Sequence, residues 1–154
     1  MERRPFTVAE VNDMIPRLEG VLARMREGLE ELRESQGRLQ VLDVIWGGRM
    51  AERGNPDHAE FLEHGRRARE TAVRVEDLIR DEILERRIRF PQGGLEYGLL
   101  DFPTTYLGRW VLLCWQSGEP ELVAWHEVDG GFAGRKPLTS EAARLMGSAD
   151  GVGQ

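Results

Sequence analysis

Apolar positions step along the first third of the chain by fours and threes: Val11, Ile15, Leu18, Leu22, Met25, Leu29 and Leu32, then polar Gln36, Leu39, polar Asp43 and Trp46. Such a heptad spacing predicts one long helix with a single apolar seam. Thr7-Val8-Ala9-Glu10 reads as a capping box at its start, and Gly47-Gly48 as its end. Pro16 falls inside the pattern, so a kink near Asn12 to Pro16, or two helices meeting there, is expected. Gly20, Gly28 and Gly37 weaken the helix by about 1 kcal/mol each relative to Ala, so packing must hold it. The polar seam positions Gln36 and Asp43 would either set register or oligomer state or lie at a splayed end near Trp46.

A second helix is predicted from the Asn55-Pro56 start signal to about Arg89, with the seam Phe61, Gly65, Ala68, Ala72, Val75, Ile79 and Ile83. Two long helices and a short loop imply an antiparallel hairpin. The mixed Arg and Glu/Asp positions outside that seam read as a solvated face. After Pro91-Gln92-Gly93-Gly94 the pattern changes to strands: Leu95 to Phe102, ending at Pro103; Trp110 to Trp115, apolar on both faces and therefore central; and Leu122 to Glu127. If Gly118-Glu119 is a two-residue turn, Trp115 faces Leu122, Leu113 faces Ala124 and Val111 faces His126, leaving Cys114 on the opposite face from His126. Thr139 would cap a short helix.

The expected fold is therefore α+β, a long antiparallel helical hairpin packed against a small antiparallel sheet of about three strands. One domain is expected over residues 1–146, with the hairpin at 7–89, the β-meander at 94–137, a C-terminal helix at 139–146 and a disordered tail at 147–154. The single Cys excludes an internal disulfide and suits a reducing compartment, and no apolar run reaches membrane-spanning length; the expected location is cytoplasmic. A formal charge of -6 argues against nucleic acid as a partner, because affinity for phosphate backbones rests on a basic surplus.

The motifs GLLDFP (98–103), LCW (113–115), GEPE (118–121), WHE (125–127) and GFAGR (131–135), with the opening FTVAEVNDMIPRL, resemble those of a prokaryotic family catalogued only as a domain of unknown function. The resemblance spans nearly the whole chain. It implies a helical hairpin with a small sheet and no particular activity.

Candidate chemistry gathers in the second half. His126 is the candidate metal ligand, and Asp101, Glu119, Glu127 and Arg135 the candidate ligand-binding groups at the sheet end. Adjacent strand residues point to opposite faces, so His126 and Glu127 can share an ion only at a strand end or bulge. Cys114, mid-strand among apolar neighbours, reads as core. Glu60 and His64 share a helix face, but the first helix offers no matching His. The Gly-rich GFAGRKP segment with Arg135 invites an anion reading, against which stands a plain turn paired to Asp101 or Glu127. Two function classes follow. The favoured one is a dimeric interaction or scaffold module, a homodimer through the long seam; the other is a metal- or small-anion-binding protein or enzyme with a site near His126 and Arg135. A divalent metal is the only cofactor these residues suggest, and it is not the favoured reading.

Overall fold

The computed structural model describes residues 4–148. The fold class is α+β: helices α1 (Val8–Trp46), α2 (His58–Glu82), α3 (Gly94–Tyr97) and α4 (Ser140–Leu145), and a four-stranded antiparallel sheet of β1 (Leu99–Tyr106), β2 (Arg109–Gln116), β3 (Ala124–His126) and β4 (Lys136–Pro137) in that order. The chain divides into two compact units, residues 23–81 and the remainder.

Within residues 23–81, the later part of α1 and α2 form the antiparallel hairpin. The expected seam holds as far as Met25, then moves by one position: the buried residues are Gly28, Ser35 and Leu42. Gln36 and Asp43 are exposed, so the two polar seam residues of the sequence pattern lie in solvent and have no register to set. The shift has a steric cause, because a Cβ on Gly28 would stand 2.6 Å from Val75 Cγ2. The glycine lets the helices approach there. On α2, Thr71 and Val75 are buried. The helix starts at His58 rather than Pro56, and Asn55 closes the turn ahead of it, its Oδ1 accepting the Asp57 N–H at 2.8 Å. The helix stops at Glu82 rather than Arg89, since Arg87 takes a left-handed φ of 65° after a 3-10 turn over Leu84–Arg86.

The other unit begins with the first part of α1. Thr7 Oγ1 accepts the Glu10 N–H at 3.2 Å, while the Glu10 carboxylate pairs with Arg4 at 2.7 Å instead of closing the capping box. The helix runs through Pro16 unbroken, not as two helices. Phe6 packs edge-on against Phe102, its carbonyl accepts the Thr104 hydroxyl and its N–H donates to the Pro103 carbonyl at 2.9 Å. Asn12 and Glu19, two turns apart on α1, accept N–H bonds from Leu122 and Gly118. One sheet face, with Leu100, Phe102, Leu113 and Trp115 at 0 % exposure, forms the core on this side.

Three strand expectations are corrected. β1 starts at Leu99, after a single helical turn, and continues through Pro103 to Tyr106. Pro103 is tolerated because its nitrogen and carbonyl point away from β2, toward Phe6, where no ladder N–H is needed. The β2–β3 register is Leu112↔His126, Leu113↔Trp125 and Cys114↔Ala124, one residue from that expected of a tight turn. A four-residue turn closed by Glu119 N–H to Gln116 C=O, with Gly118 at φ 102°, lengthens the connection instead. A one-residue slip moves every side chain of β3 to the other face. His126 therefore shares a face with Cys114. At the chain's end Thr139 caps α4, with Oγ1 accepting the Ala142 N–H, and the Gly147 N–H donates to Thr105 C=O; the rest of the expected tail, 149–154, lies outside the described residues.

Candidate functional site

Asp101 on β1, Cys114 on β2 and His126 on β3 meet on the sheet face away from α1. β1 and β2 are joined by the two-residue turn Leu107-Gly108, which sets Asp101 directly opposite Cys114; β3 adds His126 one row further on. All three are buried, with a carboxylate oxygen, the Sγ and an imidazole nitrogen within 4.8 Å of one another. Outside them runs the segment around Arg89, which exchanges two backbone hydrogen bonds with Asp101 at 2.8 and 2.9 Å. A cleft of about 300 Å³ opens over the row, lined among others by Arg89, Phe90, Gln92, Asp101, His126 and Asp129.

The hydrogen bonds fix the protons. His126 Nδ1 lies 2.7 Å from the Glu127 carbonyl, which only accepts, so Nδ1 carries a hydrogen. Nε2 lies 3.0 Å from Asp101 Oδ2, and that contact needs one proton between a ring nitrogen and a carboxylate. Burial raises the Asp101 carboxyl above the ordinary range, opposed by its hydrogen bond to His126. Burial, reinforced by the negative charge of Asp101, pushes the Cys114 thiol up to about 12, so it is neutral at pH 7 and no nucleophile. Asp101 Oδ1 finds no backbone or imidazole hydrogen-bond partner among the described residues, although the side chain is only 4 % exposed. A buried carboxylate oxygen outside any backbone or imidazole hydrogen bond is costly, and its nearest donor is the Cys114 thiol, whose hydrogen bond also lowers the Asp101 carboxyl.

The other candidate residues fall elsewhere. Arg135 donates to Glu119 Oε1 at 2.8 Å and to the Cys114 carbonyl at 3.0 Å, while Glu119 Oε1 accepts the Gln116 N–H and its carbonyl the Trp115 indole N–H. The GEPE and GFAGR motifs thus tie the turn after β2 to the end of the Gly-rich loop. Within the Gly-rich loop, the N–H groups of Gly130, Gly134 and Arg135 are taken by loop carbonyls, leaving Arg135 beside Glu119 and not in an anion cradle. The Glu127 carboxylate faces away from His126, held by Arg109 at 2.5 Å and Lys136 at 3.4 Å, and the hydrogen bond from Arg109 pulls it down to about 2. In the hairpin, Glu60 is engaged by Arg38 at 2.5 Å, with His64 3.5 Å away.

A conserved-family model covers residues 4–138, described as "Uncharacterized conserved protein (DUF2203)". The chain belongs to that family. Its matched span contains the entire DUF2203 candidate site, from Asp101 to Arg135. No curated protein and no solved structure matches the chain. Among the described residues no helix is long and apolar enough to cross a membrane.

Cys114 is the residue that sequence reasoning placed apart from the site. The signal was present in Tyr106-Leu107-Gly108-Arg109: read as a two-residue hairpin turn, it puts Asp101 opposite Cys114.

Proposed function

We propose that this DUF2203 protein is a cytoplasmic zinc-binding protein whose metal is held by Asp101, Cys114 and His126 and faces the adjoining cleft. The observation that carries this is the meeting of three buried ligand types, a carboxylate oxygen of Asp101, the Cys114 Sγ and a nitrogen of His126, within 4.8 Å of one another, with the Asp101–His126 proton and the thiol proton between them. A divalent cation would replace those protons. Zinc accepts tetrahedral thiolate, imidazole and carboxylate donors at about 2.0 to 2.3 Å, which implies donors about 3.3 to 3.7 Å apart. The present spacing requires only small side-chain adjustment to reach that. The donation of Nδ1–H to the Glu127 carbonyl is the kind of outer contact that orients a metal-ligating imidazole. A thiolate among the donors favours zinc over magnesium, calcium or manganese. Three protein ligands leave a fourth position for water or a substrate, as in catalytic rather than structural zinc sites.

The test is zinc titration of chelator-stripped protein by calorimetry, with metal analysis. One zinc per chain is expected, with release of about two protons, one from the Asp101–His126 contact and one from the thiol. Cys114→Ser and Asp101→Asn change little volume and should weaken zinc at least about a hundredfold while keeping the wild-type circular dichroism spectrum. No zinc at micromolar free metal, or wild-type affinity in Cys114→Ser, would overturn the reading and make Asp101–His126 a structural pair.

A second reading, the homodimeric interaction module, is favoured by a separate observation. Val41, Val44 and Ile45, three and four residues apart on α1, are 46, 86 and 58 % exposed.

A further inference from the structure

A second cleft of about 340 Å³ adjoins the first and is lined by Gln92, Tyr97, Leu99, Gln116 and Phe132. The two lie side by side along one sheet face. Gln92 borders both, and the consecutive residues Gly131 and Phe132 border one each. Beneath them the cross-strand rows succeed one another: Leu99↔Gln116 under the second cleft, Asp101↔Cys114 between, Leu112↔His126 under the first. Rows two residues apart are separated by about 6.8 Å, so the outer rows lie about 14 Å from each other. The character of the walls changes along that line. Asp101, His126 and Asp129 stand at one end; Tyr97 and Phe132, 62 and 48 % exposed, stand at the other with Leu99. The first cleft mixes these polar groups with Phe90, Leu112 and Val128, and the large aromatic side chains left half open beside it present apolar surface that an elongated molecule could cover.

We infer that the ligand of this site is an acyl compound, with a carbonyl or carboxylate head at the Asp101–Cys114–His126 end and an apolar chain lying between Tyr97 and Phe132. This rests on the zinc reading above, in which the fourth metal position faces the first cleft. The head supplies an oxygen to the metal, and the chain extends across Gln92. Each methylene that leaves water on the second cleft should tighten binding by about fourfold. A head group alone would bind, but weakly.

The experiment is calorimetric titration of the zinc-loaded full chain with the straight-chain hydroxamic acids from acetohydroxamic to octanohydroxamic acid. Hydroxamates mimic the acyl head while chelating the metal. The Kd is expected to fall at least tenfold along the series. Phe132→Ser and Tyr97→Ser, both at exposed positions, should flatten that dependence and leave acetohydroxamate binding unchanged. If acetohydroxamate binds but chain length has no effect, or if the gain persists in both serine variants, the acyl inference is overturned while the zinc site stands. If the protein takes up no zinc, the metal reading fails and this inference fails with it.

Discussion

Leu107 occupies a left-handed conformation at φ 51°, followed by Gly108 at φ 79°, in the two-residue connection between β1 and β2. Positive φ at both central residues matches the twist of an antiparallel hairpin, which is why Asn-Gly is the preferred pair there. A leucine side chain gains nothing in exchange, since it is 65 % exposed. Leu107→Asn should therefore stabilise the protein by about 0.5 to 1 kcal/mol, measured by urea denaturation. A loss of stability would mean that Leu107 holds contacts its exposure does not suggest. The same residue explains what was hidden in the sequence. Gly108 alone marks a turn weakly, and with leucine before it the signal that pairs Asp101 with Cys114 is easily passed over. His126 and Asp101 were legible as site residues because their types announce chemistry. Cys114 was not, because an apolar run makes a cysteine look like filling.

At the scale of elements, both misplacements sit at a glycine whose tertiary setting the local pattern does not contain. In α1 the apolar letters continue to Leu29 and Leu32, but the buried positions move to Gly28, Ser35 and Leu42, because a helix crossing is set by where backbones can approach. Between β2 and β3, Gly118 was read as the centre of a tight turn, whereas Glu119 and Asn12 tie down a longer loop and shift the register. Helix types, the capping residues Thr7 and Thr139, and the central position of β2 were all readable, since each rests on local chemistry or a long periodic run. Two glycines of α1 now separate propensity from packing. Gly20→Ala meets no atom within 4 Å and should stabilise by about 0.5 to 1 kcal/mol. Gly28→Ala meets Val75 at 2.6 Å and should destabilise by about 1 to 3 kcal/mol despite the same gain in propensity. Adding Val75→Ala should recover part of that loss, a coupling visible in a double-mutant cycle. Equal effects of the two glycine substitutions would show that the crossing relaxes without strain.

For the whole molecule, a composition of 31 % charged residues and a net charge of -6 makes uncontrolled association unfavourable, so any apolar cluster left in solvent stands out. Val41, Val44 and Ile45 form such a cluster near the C-terminal end of α1, where the flanking residues Gln40 and Asp43 are exposed and polar. Three side chains bury far less than the roughly 800 Å² per partner of a standard interface, so they would serve as its apolar centre within a polar rim. A symmetric dimer presents the same patch twice, which doubles the apolar area removed from water without a second motif. The expected mass by light scattering at micromolar concentration is thus twice 17.5 kDa, and Val44→Glu with Ile45→Glu should return it to a single chain while leaving helix content and zinc binding unchanged. A monomer mass for the wild type would remove the scaffold reading and leave the patch without a partner of its own kind. Dimers that persist in the double glutamate variant would place the interface elsewhere on the surface. The zinc site and this patch share no residues, so the two tests separate the function of the sheet from that of the helices.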